Sequence, residues 1–182
     1  MKHDDHVNLI RNGIRYPKGT WAEFGSGRGA FTLALAELLD REARIISIDK
    51  DGAALEVQRG AFERYSKRQL APRVEFRLGD YTKFIDLPEL DGMLMANTLH
   101  FHRHKLHVLK RVYDILRPEG VLILVEYNTD KSNPWVPYPL SFATWKVLAG
   151  EAGFVQTSLL GRQPSSFMKE FYAAQSLKKN EI

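Results

Sequence analysis

Glycine at every second position, Gly25, Gly27 and Gly29, between a short apolar run and a helical pattern, restricts this chain more than any other feature. The segment Trp21-Ala-Glu23-Phe-Gly25-Ser26-Gly27-Arg-Gly29-Ala-Phe31 predicts a strand, a tight loop and a helix. Phe31, Ala34, Leu35, Leu38 and Leu39 follow the three-and-four spacing that lays one helix stripe on a sheet. Three glycines in five residues cost backbone entropy, which a fold tolerates where the chain needs positive φ or where a ligand must touch the backbone. Amide groups at the start of the helix then face that ligand. Gly25-x-Gly27-x-x-Ala30 also satisfies a dinucleotide fingerprint, so the glycines alone leave a nicotinamide enzyme open. Glu23 argues the other way: beside a diphosphate a carboxylate gains nothing, whereas it suits a cationic group.

With Glu23 included, the segment resembles motif I of the class I S-adenosylmethionine-dependent methyltransferases, an acidic residue, one residue, then Gly-x-Gly-x-Gly. The resemblance implies that this loop wraps the methionine end of the cofactor, with Glu23, Gly25, Ser26 and Gly27 in contact. Ala43-Arg-Ile-Ile-Ser-Ile48-Asp49 is a β-branched strand ending in a carboxylate, placed where it can accept both hydroxyls of a ribose; Lys50 belongs to the same site. A third strand, Val74 to Leu78, ends at Gly79-Asp80-Tyr81. The resemblance assigns Asp80 to the adenine amino group and Tyr81 to the side of the ring.

The fourth strand, Asp91 to Asn97, runs into Thr98-Leu-His100-Phe-His102. Asn97-Thr-Leu-His100 is similar to the segment that many small-molecule methyltransferases place at the transferring methyl, and it departs from the Asn/Asp-Pro-Pro-Tyr or -Phe signature of enzymes acting on adenine or glutamine. Asn97 therefore joins the expected cofactor set. His100 is the first candidate for a general base, because its unperturbed pKa lies near neutrality; Glu126 and Tyr127 are the alternatives, or orient the acceptor. Four histidines fall between 100 and 107, yet no cysteine or adjacent carboxylate completes a zinc site, so no metal is expected, and His102, His104 and His107 are read as solvent-facing.

Residues 109–125 resemble the segment that follows these motifs in the same family. A helix over about 103–117, with Leu106, Leu109, Tyr113 and Leu116 inward, would end at Arg117-Pro-Glu-Gly120 before a buried strand at 121–125. An earlier helix at about 52–67 would turn Ala54, Val57, Ala61 and Tyr65 inward. The proline-rich stretch 129–141 is long enough to be functional and is read as a substrate wall. A helix from Ser141 and a closing hairpin complete the chain.

The expected fold is α/β: a Rossmann-like seven-stranded methyltransferase sheet, mostly parallel with an antiparallel last strand and helices on both faces. A helical preface at 1–19, one domain at 20–177 and a loose tail at 178–182 divide the 182 residues. The absence of cysteine excludes disulfide frameworks and thiolate metal sites, and it argues against arsenite-type methylation, which would use thiolates. No leader or long apolar run is seen, so a cytoplasmic protein away from membranes is expected. The net charge of +4 is spread along the chain rather than striped, which argues against a nucleic-acid partner. The expected activity is S-adenosylmethionine-dependent methyl transfer, yielding S-adenosylhomocysteine, to an oxygen or nitrogen of a small, partly apolar acceptor. A non-catalytic S-adenosylmethionine-binding protein, an RNA or protein methyltransferase and an NAD-dependent oxidoreductase are the alternatives. The sequence leaves the oligomeric state open, a homodimer included.

Overall fold

The computed structural model describes residues 1–180. Seven segments become strands: β1 (Thr20–Phe24), β2 (Arg44–Asp49), β3 (Arg73–Leu78), β4 (Leu90–Ala96), β5 (Leu116–Tyr127), β6 (Val155–Ser165) and β7 (Lys169–Leu177). They form one sheet in the order β3-β2-β1-β4-β5-β7-β6. The first five strands are mutually parallel, and β7 is antiparallel to both β5 and β6. Phe24 pairs with Ile48 on one side and Met95 on the other, so the loops leaving β1, β2 and β4 emerge along one sheet edge. Strand order reverses between β1 and β4, and open α/β sheets bind ligands at such a point.

Alternation along the strands divides the apolar side chains between two layers. Trp21, Ile45, Leu94, Ile123 and Val125 meet α1 (His3–Ile10) and α2 (Ala30–Leu38) on one face. Ile46, Ile48, Met93, Met95, Leu122 and Leu124 meet α4 (Lys105–Ile115) and α5 (Phe142–Glu151) on the other. Each such fully buried side chain stabilises the fold by about 1.5–3 kcal/mol. Gly92 keeps β4 against β1: a Cβ there would lie 2.5 Å from the Trp21 indole. Helix α1, with Val7, Leu9 and Ile10 buried, packs on α2 and β6.

Three local expectations are corrected. Helix α3 (Gly52–Ser66) buries Ala54, Leu55 and Gln58 and leaves Val57 exposed, because its inner face rests on a polar cluster rather than a purely apolar one. Helix α4 stops at Ile115 and buries Val108, Leu109 and Val112, with Leu106 and Tyr113 at the margins. Arg117-Pro-Glu-Gly120 opens β5 as a bulge opposite Leu90 and Gly92. Lys178 holds that bulge, accepting from Glu119 N, donating its backbone N–H to Gly120 O and its ammonium to Leu116 O. The expected tail thus begins at an anchored residue, and its positions 181 and 182 lie outside the described residues.

Candidate active site

At the strand-order reversal a cavity of about 600 Å³ opens between the loops after β1, β2, β3 and β4. Gly25, Gly27, Asp49, Lys50, Asp80, Tyr81 and Asn97 line it; Glu23 and Ser26 do not. The glycine loop is left-handed at Gly25 (φ 68°), Gly27 (φ 53°) and Gly29 (φ 85°). Nothing stands near the Cβ position of Gly27, whereas a Cβ on Gly25 would strike the Thr98 hydroxyl and one on Gly29 the Gln58 side chain. Asp49 Oδ2 accepts the Gly27 N–H at 2.7 Å and Oδ1 accepts that of Asp51 at 2.8 Å. Each carboxylate oxygen has a further lone pair, so the residue that anchors the loop can still accept a diol. Asp51, not Asp49, caps α3 through Ala53 N and Ala54 N.

Asp80 Oδ1 accepts the Thr82 hydroxyl at 2.6 Å and the Thr82 N–H at 3.0 Å, and these bonds hold its carboxyl below the usual range, so it stays ionised with Oδ2 free of protein partners among the described residues. The Tyr81 ring stacks on Phe24, and its hydroxyl lies 2.7 Å from Thr98 Oγ1 and 2.5 Å from His102 Nε2. Burial pushes the phenol up to about 12 and the His102 imidazole down, so a protonated tyrosine meets a neutral histidine. His102 is therefore half-buried at the pocket, correcting the solvent-facing expectation, which holds for His104 and His107. Thr82, Thr98 and Phe101 also line the pocket without having been singled out. The Asn97-Thr-Leu-His100 segment located this stretch, but Tyr81, 21 residues away, is what brings His102 to the pocket.

Beneath the glycine loop lies a polar cluster sealed from solvent. Thr32 Oγ1 donates to Glu23 Oε2, Gln58 Nε2 donates to Thr32 Oγ1, and Gln58 Oε1 accepts from Ser47 at 3.0 Å and Ser26 at 3.4 Å. Burial raises the Glu23 carboxyl to about 8, and its Oε1 has no partner among the described residues. Glu23 and Ser26 thus stiffen the loop from below.

Asn97, at φ 53°, leaves β4 by donating its N–H to Val125 O at 2.8 Å. Its Oδ1 is buried without a hydrogen-bond partner, and it belongs to a pocket-lining residue. An orphaned buried acceptor of this kind is costly unless a ligand donates to it. One turn further, His100 Nδ1 lies 2.6 Å from Glu126 Oε2, and Glu126 Oε1 accepts the N–H groups of Leu99 (2.9 Å) and His100 (3.1 Å). Glu126 is fully buried, so both its oxygens are committed to the turn that carries His100. Tyr127 is half-buried against Phe171 and 6.1 Å from the His100 ring; burial, then the Glu126 charge, raises its phenol. A carboxylate can only accept, so the contact with Glu126 places the N–H of the neutral ring on Nδ1 and leaves the lone pair on Nε2.

The stretch 129–141 is pinned at several points. Tyr138 N donates to His100 O at 3.0 Å, and Val136 and Leu140 are buried. Asn133 Oδ1 accepts from Trp135 N and Val136 N, while its Nδ2 donates to Met168 Sδ in the β6–β7 turn.

Comparison with known proteins agrees with this geometry. A family model described as "Methyltransferase domain" matches residues 19–170. A carboxy-S-adenosyl-L-methionine synthase of Wolinella succinogenes is 30% identical over 113 residues, 60% of this chain and 45% of that protein. The chain spans less than half the length of the curated relatives it matches. Human N-acetylserotonin methyltransferase, solved in complex with S-adenosylmethionine, superposes with a TM-score of 0.69 at 18% identity, covering 96% of this chain and 52% of that one. A S-adenosylmethionine-dependent methyltransferase structure from Methanosarcina mazei gives 0.75 at 14% identity over 94% of this chain and 98% of the other. No helix among the described residues is long and apolar enough to cross a membrane.

Proposed function

We propose, from the premise that this chain belongs to the methyltransferase domain family, that it transfers the methyl group of S-adenosylmethionine to an oxygen or nitrogen of a small, partly apolar acceptor. The pocket suits that cofactor chemically. Asp49 offers paired lone pairs to a ribose, Asp80 an ionised oxygen to an exocyclic amine, and Asn97 Oδ1 an unsatisfied acceptor to an ammonium. When bound there, S-adenosylmethionine supplies an electrophilic methyl on a sulfonium.

The chain's own part is to hold the acceptor in line and take its proton, and positioning accounts for most of the acceleration in such a transfer. The observation that carries an enzymatic reading over a purely binding one is the buried His100–Glu126 contact at 2.6 Å beside the pocket. Glu126 fixes the ring and its tautomer, His100 Nε2 takes the proton, and Tyr127, kept protonated, bounds the acceptor side. A base so placed contributes about 10²–10⁴-fold.

The test is a pair of variants, His100→Ala and Glu126→Gln, assayed for turnover and for S-adenosylhomocysteine binding by calorimetry. His100→Ala loses turnover by about 10²-fold or more, and Glu126→Gln, which presents an amide N–H to Nδ1 and so puts the imidazole proton on Nε2, loses it comparably. Both keep S-adenosylhomocysteine affinity within about threefold, since neither residue lines the pocket. Unchanged turnover removes His100 as the base; a protein that binds S-adenosylhomocysteine and turns over no acceptor favours the non-catalytic alternative.

A further inference from the structure

Large aromatic rings left in water at one end of a fold mark a binding surface more often than an accident of composition. Phe101 (57% exposed), Trp135 (70%) and Phe167 (52%) are such rings, contributed by the turn after β4, the stretch after β5 and the β6–β7 turn. They are not scattered. Ring centroids step from Phe101 to His100 (4.3 Å), His100 to Tyr127 (6.1 Å), Tyr127 to Phe167 (5.9 Å) and Phe167 to Trp135 (6.1 Å, near-perpendicular). Buried Phe171 backs Tyr127 at 4.3 Å. The strip thus starts at a residue of the cofactor pocket, passes the imidazole and the hairpin turn, and ends at Trp135 in the stretch after β5.

The outer rings are held in place. Asn133 fixes the backbone under Trp135 and reaches Met168, next to Phe167; Ser165 Oγ accepts the Phe167 N–H at 3.2 Å; Tyr138 N ties the same stretch to His100 O. Of the carboxylates of this region, Glu126 is committed to the His100 turn, Glu170 accepts from Asn128 Nδ2 (2.7 Å) beside Arg162 (3.7 Å), and Asp130 accepts the Ser141 N–H (2.8 Å).

We propose that this strip is the acceptor site and that the acceptor is a planar aromatic ring bearing a hydroxyl directed at His100 Nε2. The inference rests on the methyl-transfer reading and deepens it. Edge-to-face and offset contacts with Tyr127, Phe167 and Trp135 reward a ring with a quadrupole over a saturated one. A phenolic proton, near pKa 10 by the tyrosine reference, is within reach of an imidazole base in a way that an aliphatic alcohol's is not. In the step, the phenolic oxygen forms its bond to the methyl carbon and the carbon–sulfur bond breaks with its electron pair left on sulfur. The phenolic proton goes to His100 Nε2 and then to solvent.

The probe is 2-naphthol, compared with decahydro-2-naphthol, its saturated counterpart. Of the three tryptophans, Trp21 and Trp145 are fully buried, so acrylamide quenching of fluorescence reports on Trp135. With S-adenosylhomocysteine present, 2-naphthol is expected to protect Trp135 from acrylamide and decahydro-2-naphthol to do so at least about tenfold more weakly. Phe167→Leu, read by Trp135 quenching, and Trp135→Leu, read by calorimetry, are expected to weaken naphthol binding about tenfold each. S-adenosylhomocysteine affinity and the melting temperature should hold, since both rings are exposed. Equal protection by the two probes, or undiminished naphthol affinity in both variants, overturns the proposal. Naphthol protection without methyl transfer leaves the aromatic site standing and refutes the activity instead; failure of S-adenosylhomocysteine to bind refutes the cofactor reading alone.

Discussion

Glu23→Gln isolates the polar cluster under the glycine loop. Burial raises the Glu23 carboxyl from 4.5 to about 8, so the folded protein binds this proton more tightly than the unfolded chain does. The stability associated with the group is fully present below about pH 4.5 and is lost as pH rises through about 8. A shift of that size corresponds to roughly 4–5 kcal/mol between the two plateaus, about 3 kcal/mol of it already lost at pH 7. Glutamine keeps the acceptor for Thr32 and carries no charge, so its variant should match the parent at pH 5 and exceed it by several kcal/mol at pH 9. Urea denaturation followed by the emission of buried Trp21 and Trp145, at pH 5, 7 and 9, measures the difference. Parallel stability curves, with one offset at every pH, would refute the reasoning. The same variant should keep its S-adenosylhomocysteine affinity within about threefold at pH 5, since Glu23 lies beneath the loop and outside the pocket lining; a clear loss of affinity there would mean that this carboxyl reaches the ligand.

Two further outcomes follow from the pocket wall. Asp49→Asn keeps one oxygen to accept from the Gly27 N–H but lacks the second acceptor oxygen, so calorimetry should register a S-adenosylhomocysteine affinity down about tenfold with melting temperature changed by only a few degrees; undiminished affinity would remove Asp49 from the ribose. Gly25→Ala puts a side chain at φ 68° against Thr98, so thermal unfolding should register a loss of about 1–3 kcal/mol together with weakened S-adenosylhomocysteine binding; an unperturbed variant would mean that the loop does not need its left-handed turn.

The sheet was legible because its signals are local. Apolar runs, the glycine turn and the closing hairpin announce themselves within a dozen residues, and Asp49, Asp80 and Asn97 sit at strand ends that such runs locate. What escaped depends on partners distant in sequence. Gln58 turns inward, and Val57 outward, because Thr32, Ser47 and Ser26 await an amide at that point of α3. His102 lines the pocket because Tyr81 reaches it from another loop. Arg117-Pro-Glu-Gly120 reads as a helix stop, yet Lys178, some 60 residues on, turns it into the start of a strand. Glu126 was named as a candidate, but its three hydrogen bonds to the His100 turn could not be read from spacing.

The two ends of the aromatic strip differ in how they are embedded. His100 is bound to the last residues of β5, whose run from Val121 to Glu126 is fully buried, whereas Trp135 and Phe167 stand largely in solvent. The outer rings can therefore be exchanged with little loss of folding free energy, while the imidazole cannot. On the proposed acceptor reading, this separation makes acceptor preference evolvable: libraries restricted to positions 101, 135 and 167 would sample new ring sizes and substituents on a scaffold whose fold and imidazole stay the same.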